Sequence, residues 1–383
     1  MAGERKSIGL LLALLLFLSG CSSASGEYYQ EKEHVPQLED SGETSANTIS
    51  NYYMLQTALQ NMIRSGREND NIRISDYRGD LDDDLEAVRE YFMTVYPLGV
   101  YAVQGIGFDK TRILSEMDVS VTIQYRRTVA EIRDVVEILE DEEFERQMTA
   151  LFSSFGEKQA FSFSWVTDSN AQFMDRIMKS WAAAGEYAVG LDSVTLTSYP
   201  EEAYHCIVEV SVQYLDEPDV LSAQAQQIRE RADEIAAGLI PGETERETLE
   251  VVAGWLHDNV QVDEEATRVV SETGGLQKKT SVYTAYGALV EHTAAQSGLV
   301  LAAQELGTRL GLDCTVVIGS YEEEVYWWLA VQTADGWLHL DLLSQQTVPP
   351  VEEGGEPAVQ YVFDMAEAEL RFDWDSALYD FGD

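Results

Sequence analysis

Two stretches of the chain repeat one order of apolar signals. In the first, Ile72-Arg73-Ile74 alternates as a strand does, and Leu85, Val88, Tyr91, Phe92 and Val95 recur at helical spacing. Tyr101-Ala102-Val103 then reads as a short strand, and Val119, Val121, Ile123 and Tyr125 alternate again. In the second, Phe161-Ser162-Phe163 opens the series, Phe173, Ile177, Met178 and Trp181 give the helix, Tyr187-Ala188-Val189 follows, and Val208, Val210, Val212 and Tyr214 close it. The offset is 89 residues from Ile72 to Phe161 and from Tyr125 to Tyr214, and 86 from Tyr101 to Tyr187. Both series end in Gln-Tyr, at Gln124-Tyr125 and Gln213-Tyr214. A near-constant offset over four elements marks a duplication. The pattern therefore predicts two α+β modules of strand–helix–strand–strand order, at residues 48–140 and 141–221.

Beyond them the pattern predicts a third region, residues 222–383. A polar amphipathic helix runs from Ser222 to Ile240 and stops at Pro241-Gly242. Thr244 and Glu247 make a capping box ahead of the apolar face Leu249, Val252, Leu256 and Val260. Leu299, Ala303, Leu306 and Leu310 predict a further helix, with Gly311 as its stop. Residues 314–319 read as a buried strand, Glu322, Glu323 and Glu324 as a solvated hairpin turn, and Tyr326–Leu329 and Trp337–Asp341 as the two strands of a hairpin. Strand alternation puts Trp327 and Trp328 on opposite faces, so one of the two is a candidate to line a cleft.

At the other end, Arg5 and Lys6 precede an apolar run of eleven residues, Ile8 to Leu18. That is too short to span a bilayer as a helix, which needs about 20 residues, and suits a signal-peptide core. The run ends in Leu18-Ser19-Gly20-Cys21, which resembles the lipobox of bacterial lipoproteins. The resemblance implies that residues 1–20 are removed and that Cys21 carries lipid. The chain would then sit on the extracytoplasmic side of the cell membrane, with the membrane as a partner through that anchor. Residues 21–47 are polar and almost free of apolar periodicity, a flexible tether in which His34 is solvated.

The string from Thr284 to Val300, with Tyr326–Leu329 and Gly336–Asp341 behind it, resembles the bacterial transglutaminase-like superfamily, the circular-papain-like fold. The likeness covers roughly residues 222–383. It implies an α+β domain of cysteine-protease type with a Cys-His-Asp triad: a thiolate at a helix N-terminus, an imidazole as its acid–base partner, and a carboxylate that orients the imidazole. With Gly298 setting the register, the cysteine position falls on Gln296, the histidine position on Tyr326 and the aspartate position on Asp341. The first two lack the required chemistry. Ser297 could attack only with a base beside it, and a phenol near pKa 10 is a poor base at neutral pH. Gln296 is expected to open the helix, with Tyr326 and Asp341 on adjacent strands facing it. Ser297, Trp327, Trp328 and His292 are the candidate cleft or ligand residues. His339 alternates with Asp341 and is expected to make a structural hydrogen bond. Asp341 is expected to bond a neighbour such as Tyr326.

Composition narrows the function further. With 25 Lys and Arg against 68 Asp and Glu, the net charge is −43, so phosphate backbones are repelled and nucleic acid is excluded as a partner. Three cysteines cannot form a four-ligand zinc site or a disulfide framework, and Cys206 and Cys314 read as reduced, buried, small apolar residues. Asp80, Asp82, Asp83 and Asp84 partly match a calcium loop, but Leu85 stands where the turn needs Gly, so they read as the charged start of a helix. No metal and no cofactor is expected. The resulting expectation is a surface lipoprotein with a catalytically silent transglutaminase-like domain that binds a peptide or protein, or serves as an envelope interaction module. An active amide-bond hydrolase or transamidase with an altered nucleophile stands as the alternative.

Overall fold

The structure, a computed structural model, describes residues 48–382 except 114–115, 165, 167–168, 202, 274–280, 345 and 349–357. The apolar run at 8–18, Cys21 and the tether lie outside the described residues.

The first alternating stretch forms a sheet as expected, with one strand and two helices more than the pattern predicts. The order is β1 (Thr48–Ile49), α1 (Tyr52–Ser65), β2 (Asn69–Ile74), α2 (Leu81–Thr94), α3 (Pro97–Ala102), β3 (Val103–Ile113) and β4 (Glu116–Tyr125). The sheet runs β1-β2-β4-β3, with β1 parallel to β2 and β4 antiparallel to both neighbours. Asp80 is the N-cap of α2, accepting from the amides of Asp82 and Asp83, and Asp82, Asp83 and Asp84 fill the first turn where the helix dipole favours them.

After α4 (Val129–Arg133) the plan repeats: β5 (Val136–Ile138), α5 (Asp141–Ser153), β6 (Lys158–Phe163), α6 (Asn170–Ala183), β7 (Leu191–Tyr199) and β8 (Cys206–Tyr214), in the order β5-β6-β8-β7 with the same strand senses. The second sheet thus begins at Val136, ahead of the boundary expected at 141. The buried residues of α1 (Leu55, Leu59, Ile63) and of α5 (Phe144, Met148, Phe152) stand 89 apart in each case.

The shared Gln-Tyr acquires a physical role. Gly66 ends α1 at φ 67, and Phe155, 89 residues on, ends α5 at φ 50. The Tyr125 hydroxyl donates to the Arg67 carbonyl (3.0 Å), and the Tyr214 hydroxyl to the Gly156 carbonyl (3.3 Å), again 89 apart. Each tyrosine thus closes the left-handed turn behind its module's first helix. Each sheet also shifts register opposite its Gln-Tyr, between Val103 and Gly105 and between Leu191 and Ser193.

Neither Tyr-Ala-Val run is a strand of its own, and of the six residues only Val103 belongs to one, as the first residue of β3. Tyr101 and Ala102 end α3, Tyr187 ends a 3-10 turn, and Ala188-Val189 precede β7. Tyr101, Ala102, Val103, Ala188 and Val189 are all buried, and a short buried apolar run reads the same in either conformation.

The C-terminal region follows as α7 (Pro218–Gly238), α8 (Glu245–Asn259), β9 (Gln261–Val262), α9 (Glu264–Thr273), α10 (Ala285–Leu289), β10 (Thr293–Ala294), α11 (Gln296–Arg309), β11 (Asp313–Tyr321), β12 (Glu324–Thr333), β13 (Gly336–Leu340), β14 (Thr347–Val348), β15 (Ala358–Val359), β16 (Val362–Asp364) and α12 (Met365–Glu369). The capping box at Thr244 and Glu247 forms as read. β11, β12, β13 and β16 make an antiparallel sheet, and β9 pairs with β10 in parallel. α11 is buried from Gln296 through Gly307, wrapped by α7, α8, α10, β11 and β12. One apolar core runs from the second module through α7 into this region, and the boundary expected at 222 falls inside α7. The first module keeps its own core. It meets the second through Tyr101, Ile132 and Ile207, beside Arg127, which stacks on Tyr101 and pairs with Glu209.

Among the described residues, no helix is long and apolar enough to cross a membrane.

Candidate functional site

α11 starts at Gln296 because the chain turns sharply there. The Ala295 amide donates to the Val282 carbonyl (2.8 Å), and the Gln296 amide to the Thr267 hydroxyl of α9 (3.1 Å). Gly298 makes the close approach feasible: a Cβ there would lie 2.3 Å from the Val282 carbonyl oxygen and 2.8 Å from that of Thr284. The helix N-terminus is therefore pinned from two sides.

The Gln296 side chain, 2% exposed, accepts from the Trp327 backbone amide at 3.3 Å. β13 ends at Leu340, whose partner on β12 is Leu329, so the Trp327 amide lies past the end of that ladder. Gln296 holds the position that a nucleophile would need, and an amide there neither ionises nor attacks.

One residue earlier, Tyr326 donates its hydroxyl proton to Asp341 Oδ1 at 2.8 Å, the bond expected from the sequence. Burial first, and then the Asp341 carboxylate, raises the phenol well above its ordinary range, so it stays a proton donor. Asp341 is fully buried and fully used: Oδ1 also accepts from the Leu343 amide (3.0 Å), and Oδ2 accepts from Arg371 Nη2 (2.5 Å). Arg371, in the tail behind α12, lies over the rings of Tyr321 (4.8 Å), Phe363 (5.1 Å) and Phe372 (5.3 Å). The sequence reading missed this partner. The signal was present, since Arg371 is the only Lys or Arg after Arg309 in a strongly acidic stretch.

The structure brings Tyr326 and Asp341 together and sets Gln296 against the backbone of the next residue, but the ring of Tyr326 turns the other way. It packs on Phe372 (5.8 Å) and Tyr321 (5.3 Å), whereas Trp327 lies in the core shared with α11. Strand alternation separates the two faces, so Tyr326 does not face the helix N-terminus as expected. Trp328, fully buried, stacks on Phe372 at 4.5 Å. Ser297 is fully buried too, and its hydroxyl donates to the Tyr283 carbonyl (3.1 Å), which is no base. His292 sits in a turn at φ 58, with Nδ1 3.2 Å from the Asn259 carbonyl oxygen. Cys206 and Cys314 are free thiols; burial raises both, Cys314 up to about 12, so neither supplies a thiolate.

His339 makes its structural bond with Trp328, whose indole N–H donates to Nδ1 at 3.0 Å. An Nδ1 that accepts fixes the neutral tautomer with the proton on Nε2. Burial pushes the imidazole down to about 4 from 6.5. The unfolded chain therefore takes up a proton below about pH 6.5 that the folded chain refuses until about pH 4, so stability falls as pH drops through that window. Between pH 6.5 and 5 this group should cost about 2 kcal/mol. His339→Gln keeps an acceptor for Trp328 and should flatten that part of the curve in urea unfolding. Equal slopes for variant and wild type would refute it.

No family model and no curated protein matches the chain. Among solved structures, one described as a TGase is 15% identical with a TM-score of 0.26, over 62% of this chain. The match covers 64% of that structure's chain, just under two thirds of its length.

Proposed function

We propose that the chain is a lipid-anchored protein of the extracytoplasmic membrane surface, built on a transglutaminase-like domain that no longer performs acyl transfer and binds a peptide or protein instead. The reading rests on the sequence resemblance and on one observation: at the nucleophile position, Gln296 spends its side-chain oxygen on the Trp327 amide. Tyr326, at the base position, is committed to Asp341, and Asp341 to Arg371. The burial and bonding of Ser297 speak against an altered nucleophile. The anchor follows from the string ending in Cys21.

Thiol- and serine-directed activity probes test the silent site. The wild-type chain should remain unlabelled, while Gln296→Cys should take up the thiol probe. Wild-type labelling that Ser297→Ala removes would refute the reading. Cys21→Ala should release the chain from membranes, and unchanged retention would refute the anchor.

A further inference from the structure

A cavity of about 430 Å³ opens between α6, the β11–β12 hairpin and the tail behind α12. That volume suits a side chain or small ligand. Trp327 and Trp374 contribute aromatic surface, and Asp175, Asp373 and Asp375 contribute carboxylates. Among the described residues that line it, none is a Lys, Arg or His. The cations carried by α6 are already engaged: Arg176 with Asp141 and Glu145, and Lys179 with Glu145 and the Leu378 carbonyl. Trp327 is 2% exposed and its indole N–H finds no acceptor among the described residues. Partial desolvation, then the neighbouring Asp375, raises the Asp175 carboxyl above its usual range.

Elsewhere the same ingredients come with an arginine. Arg127 lies 4.6 Å over the Tyr101 ring and pairs with Glu209 at 3.0 Å. Arg371 lies over Tyr321 and pairs with Asp341. Arg229 lies over Tyr187 and pairs with Glu186. The cavity offers aromatic surface and carboxylates without the cation. A planar guanidinium stacks face-on upon an indole and presents its donors in a rigid fork that matches carboxylate geometry, whereas an ammonium is a compact, strongly hydrated charge.

We infer that this cavity receives an arginine side chain of a peptide or protein partner, with the partner's backbone carbonyl available to the Trp327 indole N–H and the guanidinium among Asp175, Asp373 and Asp375. The apolar stem of that side chain has Met174 and Met178 to lie against. The net charge of −43 attracts such a cationic partner from a distance. This inference deepens the binding reading above, and the labelling and turnover assays bear on catalysis alone, so each can fail without the other.

The test is calorimetric titration of the full-length protein in mild detergent with N-acetyl-arginine methylamide and its citrulline and lysine counterparts. The arginine compound should bind saturably. Citrulline, of similar shape but neutral, and lysine, charged but not planar, should bind at least about tenfold more weakly. Asp175→Asn with Asp375→Asn in one chain, both on exposed positions, should weaken arginine binding by about tenfold or more. Trp327→Phe, which removes the N–H donor together with part of the aromatic surface, should weaken it several-fold. Absence of saturable arginine binding up to about 20 mM, equal binding of citrulline or lysine, or an unaffected double Asp variant would each overturn the inference.

Discussion

Arg371→Met should destabilise the chain by about 3–5 kcal/mol, the loss expected when one partner of a buried ion pair is removed and the other charge remains. The Asp341 side chain is fully buried and that of Arg371 is only 10% exposed. Methionine preserves much of the stem that lies over Tyr321, Phe363 and Phe372, so the lost charge dominates the effect. Tyr326 and the Leu343 amide would still bond Asp341, but both are neutral donors. Adding Asp341→Asn to Arg371→Met removes the stranded charge and should recover part of the loss. Urea unfolding of the wild type and these two variants checks this. A loss below about 1 kcal/mol in the single variant would place the pair with exposed surface bridges and break the account of Asp341 as a structural node.

The second large effect is expected at Gly298. Alanine there would put a methyl 2.3 Å from the Val282 carbonyl oxygen, and backbone rather than a flexible side chain must give way. The cost should reach or exceed the top of the about 1–3 kcal/mol range for overpacking. It should come with weakened packing where α11 begins, because the Ala295–Val282 bond and the Ser297–Tyr283 bond hold the same contact. Unfolding midpoints give the loss, and hydrogen exchange of the first turn of α11 gives its location. A variant as stable as wild type would mean that Gly298 is not where the helix meets the 282–284 segment.

The sequence showed clearly what periodicity encodes and was silent where tertiary contacts decide. The strands at Ile72, Phe161, Val119 and Val208 and the helices α2 and α6 follow from their apolar spacing. β1 and β5 did not, since two or three residues carry no period, and with them the first helix of each module was overlooked. The Gln-Tyr string was noticed as a match, but its reason lies in a turn about sixty residues earlier in each copy. At the candidate site, the Tyr326–Asp341 bond is the one suggested by the positions that the family resemblance assigns to the two residues. Arg371 was not, because a residue thirty positions away can be placed against Asp341 only by the fold of the tail. The direction of the Tyr326 ring was misjudged for a related reason. Alternation had already set Trp327 and Trp328 on opposite faces, and it places Tyr326 with Trp328.

The arrangement is proposed to bind without performing acyl transfer, and turnover measures this. The purified wild-type chain, offered a panel of peptide amides and esters near neutral pH, should release product no faster than the buffer. Ser297→Ala should give the same trace as wild type. Turnover above background in wild type that disappears in Ser297→Ala would contradict the account, because it would show that a hydroxyl now donating to the Tyr283 carbonyl serves as a nucleophile.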